Sequence, residues 1–176
     1  MVQAFTILRK KYLWSAERYL TGAKESDIRD ALRERQIRVE EADWQKIHLL
    51  GDLASDKLTD YYNLCDVFCM PSYFEAYGLV FAEALTYGLP CIGRDKFAMS
   101  EFIEDGCTGR LISGEDAEEL ALDLWEVLQD PKYREEVERR REWYLREYSW
   151  DKVAQRICSV MEKNERDKDQ YRSAGV

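Results

Sequence analysis

Histidine is almost missing from this 176-residue chain: His48 stands alone, inside the alternating stretch KIHLLG. A single histidine leaves no His–His metal pair, and a lone strand histidine reads as structural rather than catalytic. Proline (three) and glycine (nine) are sparse, and no Pro/Gly-rich linker, repeat or low-complexity tract divides the chain. No apolar run approaches the roughly 20 residues that cross a bilayer. The opening MVQAFTILRKKYLW carries its cations after its apolar residues, the reverse of a secretory signal, so the expected location is cytoplasmic. Positive charge is in deficit too. With 26 Lys and Arg against 35 Asp and Glu, the net charge is −9 and the pI about 4.8. That argues against a nucleic-acid partner, whose binders show a basic footprint, while a polyanionic ligand held by backbone amides remains compatible. The five cysteines (Cys65, Cys69, Cys91, Cys107, Cys158) form no C-x-x-C, so they read as reduced thiols, mostly buried, rather than as metal ligands.

What is present describes a soluble α/β domain. The composition is 45% hydrophobic, 35% charged and 12% aromatic, and the length suits one domain with a real core. Ala4, Phe5, Leu8 and Tyr12 follow helical spacing from the first residue. SAERYLTG (15–22) and KIHLLG (46–51) read as strands, with the amphipathic ESDIRDALRERQI between them. Ser55 is placed to cap a helix through Leu58, Tyr61, Tyr62 and Cys65. DVFCMPS (66–72) is a continuous apolar run, as in a strand buried on both faces. A helix from Leu79 to Tyr87 closed by Gly88, the strand LPCIG, the short helix MSEFIED and the strand TGRLI follow. Three helices end the chain, the second with Pro131 in its first turn. This alternation predicts a doubly wound, mainly parallel Rossmann-like sheet with helices on both faces over residues 1–166, and a frayed tail over 167–176. Such a fold opens with a strand, whereas this sequence opens with a helix, so the expected sheet lacks its first strand. Trp150, Val153 and Ile157 on the closing helix predict an exposed apolar patch.

The stretch FEAYGLVFAEALTYGLP (74–90) is the densest in chemistry. In an open parallel sheet, ligands bind beyond the carboxyl ends of the strands. The loop after CMPS feeds a helix start at Gly78–Leu79, where free N–H groups and the helix dipole favour an anion. Glu75 precedes that start and Glu83 lies about 7 Å along the helix, at 1.5 Å per residue. Carboxylates accept hydrogen bonds from vicinal diols, so two of them flanking an anion site suit a diol–diphosphate–diol ligand, a nucleotide sugar. The plainer alternative is a solvated helix glutamate and a loop charge. A retaining glycosidase pair fits less well, because its carboxyls stand ~5 Å apart.

DVFCMPSYFEAYGLVFAEALTYGLPCIG, then EFIEDGCTGRLI, GEDAEELALDLWEVLQDP and REYSWDKVAQRI, closely resemble the C-terminal, donor-binding domain of the retaining glycosyltransferases of family 4, enzymes with two Rossmann-like domains facing a cleft (GT-B architecture). The likeness runs from about Val2 to Met161. It implies that Glu75 is catalytic and contacts the donor hexose, that Glu83 holds the ribose hydroxyls, and that the amides of Tyr77, Gly78 and Leu79 hold the diphosphate. It further implies that Leu53, in GDLASDKL, lies near the base, while Lys57 reads as a solvated lysine. No metal or other cofactor is implied; the partners are a nucleotide-diphosphate sugar as donor substrate and an acceptor, with a membrane-peripheral glycolipid in view. The implied reaction is hexose transfer with retained configuration, by front-face attack through an oxocarbenium-like state. In the family an Arg/Lys pair after the domain's first strand neutralises the leaving diphosphate; it and the N-terminal acceptor domain are not in this sequence, which predicts an inactive isolated chain. Arg94, Lys96 and Arg110 are the nearest basic residues, and GRDKFAMSEF (93–102) departs from the family's Gly-Gly turn. The alternative function is a non-catalytic interaction module, or a subunit completing its site with a separate chain.

Overall fold

The computed structural model describes the backbone of residues 1–173 and the side chains of residues 1–163. Helices and strands alternate: α1 (Val2–Lys11), β1 (Arg18–Thr21), α2 (Glu25–Glu34), α3 (Glu41–Trp44), β2 (Ile47–Gly51), α4 (Ser55–Leu64), β3 (Phe68–Cys69), α5 (Leu79–Thr86), β4 (Cys91–Arg94), α6 (Met99–Phe102), β5 (Gly109–Ile112), α7 (Ala117–Gln129), α8 (Lys132–Glu147) and α9 (Trp150–Ser173). All the pairings are parallel. The strands do not make one sheet, as the sequence reading expected: β1 pairs with β2, and β3, β4 and β5 form a separate sheet in that order. The α/β class holds, and the sheet is divided between β1 and β3.

The burial of β4 shows why the stretch leading to its closing Arg94 is apolar. Cys91 packs into a cluster with Phe81, Leu85, Met99, Val137 and Tyr144, while the next residue, Ile92, packs into a second cluster with Phe5, Leu8, Leu120 and Tyr133. Successive side chains point to opposite faces, and both faces are covered: α1 and α7 on one, α5 and α8 on the other. Each large apolar side chain in these clusters contributes about 1.5–3 kcal/mol by leaving water.

Two glycines are demanded by the packing. A Cβ on Gly109 would lie 1.8 Å from the Cys91 carbonyl oxygen, so only glycine lets β5 approach β4 here. Gly88 has φ +80° and ends α5 in the left-handed conformation. One local expectation needs correction. Ser55 does not cap α4: Ala54 holds the N-cap position in extended conformation, without a side-chain bond, and Ser55 is the first helical residue. The four-residue α3 was not anticipated. α9 runs through Ser173, across most of the stretch read as a frayed tail, and residues 174–176 lie outside the described residues. Of the patch expected on the closing helix, Trp150 (86%) and Ile157 are exposed while Val153 is half-buried; Val160 and Met161 are exposed further along the helix. No described helix is long and apolar enough to cross a membrane.

Candidate functional site

The loop from Pro71 to Gly78 leaves the carboxyl end of β3 and turns into α5. Gly78 is the N-cap of α5, with φ +81°, and it is buried. A Cβ there would sit 3.0 Å from Phe81 Cδ2 and 3.3 Å from Glu75 Cγ, so the position needs glycine for both its backbone and its surroundings. The Gly78 N–H donates to Glu75 Oε1 at 3.1 Å. Glu75 thus folds back on the helix start, its carboxylate meeting the positive end of the α5 dipole. The same amide is one of the three expected to hold a diphosphate.

Glu83 is exposed, although Phe81, Ala82, Ala84 and Leu85 around it are buried. At 100° per residue the helix turns this one position outward, which resolves the puzzle of a carboxylate in an apolar run. Glu83 Oε2 accepts a hydrogen bond from the buried Tyr62 hydroxyl at 3.2 Å. Burial and the neighbouring Glu83 carboxylate push the Tyr62 hydroxyl's pKa up, so it stays a donor. Tyr62 also stacks on Tyr87 at 5.1 Å, and Tyr87 hydrogen-bonds Thr59 at 3.1 Å. These contacts pin α4 to α5. Leu53 is half-buried, two residues before α4. Lys57 pairs with Asp60 at 3.6 Å in full view of solvent, as its solvated reading expected. Tyr77 and Leu79 are about half exposed, and Tyr77 meets Phe102 edge-on at 5.3 Å.

Sequence reasoning did not foresee Tyr62, because its link to Glu83 spans 21 positions and exists only once α4 and α5 pack. The three basic candidates separate cleanly. Arg94 is buried beneath the loop, donates to Gly114 O at 2.7 Å and lies 4.5 Å over the Tyr73 ring, with its Nε shielded and unpartnered. It lines a cavity of about 240 Å³ with Arg35, Pro71 and Gly114 at the carboxyl ends of β3, β4 and β5. Arg110 is committed elsewhere, bridging Asp105, Asp123 and Glu126. Lys96 is exposed. Beside it, Phe97 takes φ +57°, a left-handed conformation rare outside glycine, and meets the 76%-exposed Phe74 edge-on at 5.4 Å. His48 pairs with Glu17 at 3.0 Å and stacks on Tyr19, a structural role.

Residues 30–144 match the sequence model of the family described as glycosyl transferases group 1. The chain belongs to the group 1 glycosyltransferases. This group 1 chain is 32% identical over 98 residues to the D-inositol 3-phosphate glycosyltransferase of Kribbella flavida, covering 56% of this chain and 23% of that protein. It is 30% identical over 122 residues to the lipopolysaccharide 1,2-N-acetylglucosaminetransferase of Salmonella typhimurium, covering 68% and 32%. It therefore spans about a quarter to a third of the length of these relatives. Its fold is similar to the sucrose-phosphate synthase of Thermosynechococcus elongatus (TM-score 0.72, 20% identity, 94% of this chain and 42% of that one). It is also similar to the pneumococcal O-GlcNAc transferase GtfA in complex with UDP and GlcNAc (TM-score 0.68, 24% identity, 91% and 32%), and to Anabaena HepE in complex with UDP-glucose (TM-score 0.72, 18% identity, 92% and 44%).

Proposed function

We propose that this chain is the donor-binding, C-terminal part of a retaining glycosyltransferase of family 4 that transfers a hexose from a nucleoside-diphosphate sugar to a glycan or glycolipid. The observation that carries the reading is the helix start at Gly78, bracketed by Glu75 on its amide and by Glu83 on the exposed face of α5. In this reading the diphosphate lies on the Tyr77, Gly78 and Leu79 amides. A diphosphate competes with the Glu75 carboxylate for the Gly78 N–H, so donor binding releases Glu75 toward the hexose. There it stabilises the positive charge that grows on the sugar as the bond to the diphosphate breaks. Glu83, held by Tyr62, accepts hydrogen bonds from the ribose hydroxyls. Leu53 borders the base.

The reaction calls on no metal or other cofactor: backbone amides and cations carry the leaving group's charge, and the departing phosphate oxygen takes the acceptor's proton. The acceptor-binding domain and the Arg/Lys pair belong to the remainder of the whole enzyme, which works in the cytoplasm. Calorimetric titration of the chain with UDP, GDP and ADP tests the reading. Binding of one of them, weakened by Glu83→Gln, supports it, and no binding of any overturns it.

A further inference from the structure

A cavity of about 560 Å³ opens between α1 and the turn that ends α2. Its polar walls are Gln3, Thr6 and Lys10 of α1, and Arg35, Gln36 and Arg38 after α2. Each of these six side chains can donate a hydrogen bond. Among the described residues no carboxylate lines the cavity, in a chain with 35 Asp and Glu against 26 Lys and Arg. None of its lining residues belongs to the candidate site around Gly78.

Three observations separate this pocket from a solvated face. Arg35 and Arg38 have no ion pair among the described residues, whereas Arg9, Arg29 and Arg33 on the same two helices are matched with Asp43, Glu25 and Asp30. Thr6 is only 8% exposed, and its hydroxyl is buried without a hydrogen-bond partner. A helical threonine can return its hydroxyl to the carbonyl four residues back. Thr59 does so, to Ser55 O at 3.2 Å, and Thr6 does not, which leaves a donor short of an acceptor. Gln36 takes φ +54°, a left-handed conformation rare for glutamine, in a turn closed by the Ile37 N–H donating to Leu32 O at 2.9 Å. That turn sets Arg35, Gln36 and Arg38 on the wall opposite α1.

We propose that this pocket binds a phosphomonoester, carried by a soluble metabolite or by a lipid headgroup. The Arg35 and Arg38 guanidiniums, whose planar forks match phosphate oxygens, supply the counter-charge. The Thr6 hydroxyl and the Gln36 amide donate to the remaining oxygens. Lys10 stays with Glu40 at the rim and adds attraction at longer range. Two unpaired arginines repel each other, and a dianion between them turns that repulsion into attraction. The site is separate from the start of α5 and stands whether or not the chain binds a nucleotide sugar.

The test is an NMR titration of the 176-residue chain in about 0.15 M salt, where loose surface attraction is screened. One arm adds glycerol 3-phosphate, with glycerol as its control. The other adds phosphatidylcholine vesicles with and without phosphatidic acid, which carries the same phosphomonoester. Saturable shifts at the Thr6, Gln36 and Arg38 amides are expected with phosphate and not with either control. Arg35→Gln/Arg38→Gln, at two exposed positions, should abolish them with Tm unchanged. Thr6→Val, which keeps shape and charge, should weaken binding about tenfold, as one hydrogen bond to a charged group implies. A response in the first arm assigns a soluble ligand, and a response in the vesicle arm alone assigns a headgroup. The proposal is overturned if neither arm shifts those amides, if the double variant still responds, or if Thr6→Val binds as the parent chain does.

Discussion

Gly78 and its two flanking glutamates concentrate the chemistry in single residues. At φ +81° an alanine costs about 1–2 kcal/mol of backbone strain, and its Cβ would also press on Phe81 and Glu75. Gly78→Ala should therefore lower stability by about that amount in denaturant melts, with the m-value unchanged. Gly78 was legible in the sequence because a glycine between a strand end and an apolar helix has few other uses. The exposure of Glu83 was legible only in part. Its neighbours suggest burial, and only the helical angle shows that one position in the run looks outward. Tyr62 was not legible at all, since nothing local to YYNL points to a residue 21 positions on. Phe97 marks a strained, exposed position packed against Phe74 in the loop before α5.

Among the elements, the turn between α6 and β5 shows how a motif can be structural while travelling with a functional site. In EDGCTG, Asp105 accepts the Leu111 N–H at 2.9 Å, Gly106 takes φ +73° in open space, and Gly109 touches the Cys91 carbonyl. Gly106→Ala should cost only about 1–2 kcal/mol, from backbone strain. Gly109→Ala should cost roughly 4 kcal/mol or more or prevent folding, because β4 and β5 must separate; thermal unfolding of the two variants distinguishes them. On α8, Glu136 is held by Arg139 first and then by Arg140, which lowers its pKa from 4.5 to about 2. A carboxylate depressed in the folded state stabilises above its usual pKa and loses that contribution as pH falls. Acid titration should show stability falling between about pH 4.5 and 2, and Glu136→Gln should flatten that part of the curve. β4 was legible because both its faces are buried and its apolar run is bounded by turns, whereas the half-buried β1 and β2 were read from alternation. α3 and the cap of α4 were not, because four residues carry no period and Ala54 offers no side-chain signal.

At the scale of the molecule, the chain carries the proposed donor site and a divided sheet, and it covers about a quarter to a third of the length of the two curated relatives. A lone oxyanion-type donor contributes about 2.7–4 kcal/mol to catalysis; on the proposed reading, in which acceptor binding and leaving-group neutralisation rest on other residues than these, the chain should show no sugar transfer above background when UDP-glucose and a glycolipid acceptor are supplied. Fold class and helix order were readable from alternation alone. The split of the sheet was not, because pairing across a gap leaves no mark on local pattern. The central claim is that the two glutamates divide the labour, and calorimetric titration of UDP into the chain and its two variants tests it most directly. Glu83→Gln should weaken UDP about tenfold or more, as the loss of a hydrogen bond to a charged group implies. Glu75→Gln should leave UDP affinity undiminished, since it only relieves competition for the Gly78 amide. Equal losses in both variants, or no loss in either, would contradict the account.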